Sequence, residues 1–187
     1  MPRIWIGIDQ SYSGCAIVHH VRYDENDTYT DEKVCDFSPK AAGLGIERLL
    51  HVHHELLAHF QDIARLGYVA HLCYEGYAYG AKYRREELGE LGAMMKTALA
   101  LAFPSHFEDR VHAVAPSTVK KFATGSGRAD KDKVMLAVYM RWQYQPPSHD
   151  VADAYTLAHI AEALDRPEPP ELKFQREVLA TVRSPTS

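Results

Sequence analysis

Along residues 3–9, Ile4, Ile6 and Ile8 alternate with Trp5, Gly7 and Asp9, which predicts a strand buried on both faces with Asp9 at its C-terminal end. Ser11, Ser13 and Gly14 supply turn chemistry, and residues 15–23 and 28–37 read as two further strands divided by polar residues, so an antiparallel meander is expected. From 45 to 66 the pattern changes period. Ile46, Leu49, Leu50, Leu56, Leu57, Phe60, Ile63 and Leu66 recur at three-to-four spacing, the mark of an amphipathic helix, with Gly67 placed to close it as a C′ residue. Gly7 is expected to leave room beside Asp9.

Residues 68–75 are strand-like, 85–103 helical and ended by Pro104, and 111–115 a short strand ended by Pro116. Strand, helix, strand implies parallel pairing through a right-handed crossover. Helices are predicted over 117–122, 131–142 and 150–164, with loops at 124–128 and 143–147. Pro167, Pro169 and Pro170 open a tail with a short helix near 171–179. The chain has no internal repeat, and the reading is one α/β domain over 1–164, a five-stranded mixed sheet flanked by helices, followed by a Pro-rich tail over 165–187.

Composition narrows the class. At 187 residues, 46% of them hydrophobic, the chain suits one core. No long apolar run suggests a membrane span, and the N-terminus is too short and too soon interrupted for a signal peptide, which points to the cytoplasm. The three cysteines, Cys15, Cys35 and Cys73, are widely spaced and argue against both a disulfide framework and a structural zinc site. A net charge of -4 argues against coating DNA by bulk charge. The charge is uneven, however. Asp24, Glu25, Asp27, Asp31, Glu32 and Asp36 crowd one stretch, and Lys120, Lys121, Arg128, Lys131 and Lys133 another, where they form a candidate phosphate-tracking patch.

Four carboxylates fall where this topology converges. Asp9 and Glu75 end two strands, and Asp150 and Asp153 open the last major helix, three apart on one face. Ligands of open α/β sheets bind beyond the carboxyl ends of the strands, and an all-carboxylate donor set selects Mg²⁺ or Mn²⁺. Two such ions can clamp both oxygens of an in-line phosphoryl displacement. Any one of these acids is more simply a cap or a solvated charge; as a set, with Asp9 inside Gly-Ile-Asp-Gln-Ser, they point to phosphodiester hydrolysis.

Ile-Gly-Ile-Asp9-Gln-Ser, Tyr-Glu75-Gly, the run from Pro116 to Lys131 and Asp150-Val-Ala-Asp153-Ala, in this order, resemble the RuvC Holliday-junction resolvases, in their phage-type form. The resemblance implies an RNase H-like fold and resolution of four-way junctions, with flaps and Y-forms as further branched substrates. It also implies two Mg²⁺ ions per site, replaceable by Mn²⁺, on Asp9, Glu75, Asp150 and Asp153. Lys120 and Lys131 match lysines that meet DNA near the scissile phosphate, which places Lys131 in the catalytic set. An aromatic that some relatives carry three residues after the strand-end Glu is here Ala78; Tyr77 and Tyr79 flank it, and they join Arg84 and Arg85 as candidate DNA contacts.

Other features carry less. Gly125-Ser-Gly127 lacks Gly-Lys-Ser/Thr and reads as a turn. Among eleven histidines, His51, His53 and His54 lie on a solvated helix face, and His149, beside Asp150, is read first as part of the capping loop. The helix bearing Gly89, Leu91, Gly92, Met94, Met95, Leu99 and Leu101 is apolar around much of its circumference, and a homodimer contact is expected there. Two rivals remain. A phosphotransferase of the actin and hexokinase superfamily would need a second domain, and a non-catalytic junction binder would be repelled by its own unneutralised acids.

Overall fold

A computed structural model describes residues 1–24, 27–76, 85–103 and 107–183. Strand β1 (Arg3–Gln10) is central, buried along nearly its whole length. It pairs antiparallel with β2 (Gly14–Arg22), which pairs antiparallel with β3 (Thr28–Asp36). On its other side β1 runs parallel to β4 (Tyr68–Glu75), and β4 parallel to β5 (Val111–Val114). The order β3-β2-β1-β4-β5 is the predicted five-stranded mixed sheet with an antiparallel first half. Edge strand β3 is mostly exposed and carries Asp31, Glu32 and Lys33, charges that discourage further strand pairing.

Alternation along β1 divides the core. Ile4, Ile6 and Ile8 face α2 (Gly45–Leu66) and α3 (Arg85–Ala102), where Val52, Leu56, Phe60 and Ile63 meet Leu91, Met95, Ala98 and Leu99. Trp5 and Cys73 turn to the other face and pack with Leu157, Ile160 and Ala161 of α7 (His149–Asp165). Helices α5 (Pro116–Thr124), α6 (Lys131–Trp142) and α8 (Lys173–Arg183) cover the outer side of α7, so that helix is buried along most of its circumference, polar residues included, rather than amphipathic. Single turns α1 (Pro39–Ala42) and α4 (Phe107–Arg110) complete the described elements.

Four details differ from the sequence reading. A Cβ on Gly7 would stand 2.0 Å from the Ala154 carbonyl oxygen and 2.3 Å from the Ala158 amide nitrogen. The glycine therefore makes room for the backbone of α7, not for the Asp9 side chain. Gly67 is extended, with φ 175°, rather than left-handed, and its constraint is the Pro2 carbonyl oxygen, 2.5 Å from where a Cβ would be. Beyond Leu164 the chain forms α8, which runs to Arg183 and buries Val178 and Leu179 against Trp5, Val119 and Phe122. On α3, Leu91, Met95 and Leu99 are intrachain core; of the five large apolar residues read as a dimer face, Leu101 alone is exposed. Sequence shows that the face is apolar but not which helix covers it, and here α2 does.

Candidate functional site

The parallel register of β1 and β4 sets Ile8 opposite Tyr74, so the next residues, Asp9 and Glu75, stand side by side at the strand ends. Asp9 follows Trp5 and Gly7 on the face beneath α7. Ser148 caps that helix, its Oγ accepting from the Val151 amide at 3.2 Å, which places Asp150 and Asp153 in the first turns. Because Ala154 sits directly on Gly7, Asp153 is brought down beside Asp9. Asp9 is 8% exposed and Asp153 9%, whereas the Asp150 side chain is 50% exposed and forms the outer lip.

The electrostatics report the same convergence. Burial pushes the Asp9 carboxyl up to about 8, helped by Glu75, Asp153 and Asp150 and opposed by Lys131. Glu75 is raised to about 7 by burial and by Asp153 and Asp150, against Lys120 and Lys131. Asp153 is raised to about 6 by burial and Asp150, against Lys131, Lys120 and His149. Each acid opposes ionisation of the others, and a divalent cation relieves that conflict, so an all-oxygen, strongly acidic set fits Mg²⁺ or Mn²⁺.

The predicted cations separate into two groups. Lys131 Nζ lies 3.8 Å from Asp150 Oδ1, and Lys120 on α5 lies close enough to lower both Glu75 and Asp153. Lys121, one residue on, turns instead toward α8, its Nζ 2.7 Å from Glu177 Oε2. Lys133 pairs with Asp130 at 2.8 Å, and Arg128 is exposed on the loop before α6. Tyr77, Ala78, Tyr79, Arg84 and Pro104 lie outside the described residues, as does the side chain of Arg85. His149 Nε2 is 3.6 Å from Asp132 Oδ1, at the rim of the acid cluster. His51 pairs with Glu55 at 3.4 Å, and His53 rests its ring on His54. One group the sequence reading passed over, His20, His159 and Glu162, gathers at the far end of α7. Only the i, i+3 spacing of His159 and Glu162 was visible in the chain.

A mixed sheet of this order, helices on both faces and acids at the end of its central strand define an RNase H-like fold. Within that class its fold is similar to that of solved RuvC structures. The chain is similar to a Thermus thermophilus RuvC structure at 20% identity and TM-score 0.62, over 83% of this chain and 90% of that one. It is similar also to T. thermophilus RuvC in complex with Holliday junction substrate, at 20% identity and TM-score 0.63, over 94% and 96%. At this identity the likeness is one of fold. No family model and no curated protein matches the sequence. Among the described residues no helix is long and apolar enough to cross a membrane.

Proposed function

We propose that the protein is a structure-selective DNA endonuclease that resolves four-way junctions, and other branched DNA, by metal-dependent phosphodiester hydrolysis. The observation that carries this reading is the convergence of Asp9, Glu75, Asp150 and Asp153 on a RuvC-like fold, with Lys120 and Lys131 beside them. The junction held by one similar RuvC structure supports the choice of substrate.

The four acids would hold two Mg²⁺ ions, which when bound supply an activated water and stabilise charge on the leaving oxygen. Asp9 and Glu75 hold their protons toward neutral pH and Asp153 holds its own above the ordinary carboxylate range, and since a bound cation needs these groups ionised, loading strengthens as pH rises. Lys120 and Lys131 neutralise phosphate oxygens where the acids would repel the backbone, and Arg128 and Lys133 extend that track. Tyr77, Tyr79, Arg84 and Arg85 follow Glu75 in sequence and belong to the DNA side of the site in this reading. Paired nicks on a nearly two-fold substrate need two sites, so the working unit in this reading is a homodimer; the resemblance to phage-type resolvases is the ground for reading it as phage-encoded and at work in a bacterial cytoplasm.

Incubating the protein with labelled four-way junction, flap, Y-form and linear duplex in Mg²⁺ tests the reading. Symmetric nicking of the junction, lost in Asp153→Asn while junction binding persists, is the expected result. Tight junction binding with no cleavage in Mg²⁺ or Mn²⁺ would make the protein a branched-DNA binder instead.

A further inference from the structure

Among the described residues, one group of three potential ligands brings its donor atoms within 4.8 Å of one another, and it is not the acid cluster: it is His20 on β2 with His159 and Glu162 on α7. Glu162 Oε2 lies 3.3 Å from His159 Nδ1 and 3.7 Å from His20 Nδ1. A charge-assisted N–H to carboxylate bond is shorter, about 2.7–2.9 Å. Donors roughly 2.0–2.2 Å from a tetrahedral ion stand about 3.3–3.6 Å from one another, close to the two distances measured from Glu162 Oε2. His20 is 2% exposed and Glu162 5%.

We propose that His20, His159 and Glu162 form a transition-metal site, of the class that takes Zn²⁺, which clamps β2 to α7. The inference does not depend on the nuclease reading. Two imidazoles and one carboxylate suit zinc and discriminate against Mg²⁺, which prefers oxygen ligands. The His159 ring is largely buried, its side chain 18% exposed. Trp142 stacks on that ring at 4.2 Å and 9°, fixing its plane.

Glu162 is held from behind. Arg166 Nη2 donates to Oε1 at 2.7 Å and Arg22 donates to the same oxygen, which leaves Oε2 for the histidines, as outer partners of metal carboxylates do. Two guanidiniums also oppose a dication, so the site should bind more weakly than thiolate zinc centres. A cavity of about 430 Å³, lined in part by Trp142, His159, Glu162, Glu168 and Glu171, gives access and room for water as a fourth ligand, and its two further acids return negative charge. Helix α7 carries Asp150 and Asp153 at its other end, so the ion would stiffen the element that presents them.

The test uses the full chain with Asp9→Asn and Asp153→Asn, which disables the acid cluster and leaves this group as the site that is read. After removal of metal, Co²⁺ and Zn²⁺ are titrated and metal content is measured after desalting. One ion per chain is expected, with visible d–d bands for Co²⁺. Zinc a hundred-fold above Kd should raise Tm by about 5–10 °C, and Mg²⁺ should not. X-ray absorption of the zinc form should count two imidazoles, which needs no variant of the ligands to fold. His159→Gln should weaken binding at least tenfold. A folded parent with no Co²⁺ bands and no retained zinc overturns the site, as does a zinc shell with fewer than two imidazoles, or binding unchanged by both His20→Asn and His159→Gln.

Discussion

Asp9→Asn should stabilise the protein and silence it at once. Asp9 is 8% exposed, and its carboxyl is pushed up to about 8 by burial and by Glu75, Asp153 and Asp150. The unfolded chain releases that proton near pH 3.9, so at pH 7 folding must retain it, which costs about 1.36 kcal/mol for each of roughly 3 pH units, or about 4 kcal/mol. The sign follows from the raised folded value. Whatever Asp9 contributes is fully present below about pH 4 and is lost as pH rises through about 8. Asparagine keeps the shape and never ionises. Because Asp150 at the lip is half-exposed and water reaches the site mouth, a relief of about 1–3 kcal/mol is the realistic figure, or about 3–9 °C in Tm. Calorimetry in EDTA at pH 5 and pH 8 is the assay, with the gap in favour of Asp9→Asn wider at pH 8. Mg²⁺ should narrow it by stabilising the wild type selectively. Cleavage should fall about 10³-fold or more. A variant that melts below wild type in EDTA at pH 8, or that still cuts, would refute the reasoning.

Three further outcomes are expected. Lys120→Ala and Lys131→Ala should each weaken junction binding alike across DNA sequences and reduce the slope of log K against log salt by about 1; a defect confined to some sequences would contradict the phosphate role. Gly7→Ala should destabilise by about 3 kcal/mol, lowering Tm by about 6–12 °C, because the new methyl meets backbone of α7 that has nowhere to go; an unchanged melt would show that the helix can lift. Glu162, although burial works to raise it, is held well below the ordinary carboxylate range by His159, His20 and Arg166, so its stabilisation is present above about pH 4.3 and is lost as pH falls. Glu162→Gln should therefore cost about 2–4 kcal/mol at pH 7, discounted for partly exposed arginines, with the gap to wild type closing in urea melts below pH 4.

Much of this protein is written locally. The alternation of Ile4, Ile6 and Ile8 with Trp5, Gly7 and Asp9 predicts a two-sided central strand, and the three-to-four spacing through Phe60 predicts α2 with the bounds Gly45–Leu66 that the structure has. The meander of the first three strands and the parallel pairing of β4 with β5 followed from which connections are short and which contain a helix, and the four acids were legible because each ends or begins an element. What sequence left open are the meetings between elements. Periodicity marks α3 as apolar without naming its cover, and only packing shows that Leu91, Met95 and Leu99 face α2. Lys120 and Lys121 are neighbours in the chain, yet 100° around a helix sends one toward the acids and the other to Glu177. Gly7 and Gly67 are both fixed by backbone from distant segments, Ala154 and Pro2. Arg22 and Glu162 are 140 positions apart, and with them His20 and His159 become neighbours only because α7 lies across β1 and β2. Local patterns record what each segment must bury; which side chains share a site depends on long-range docking, which a local pattern does not carry.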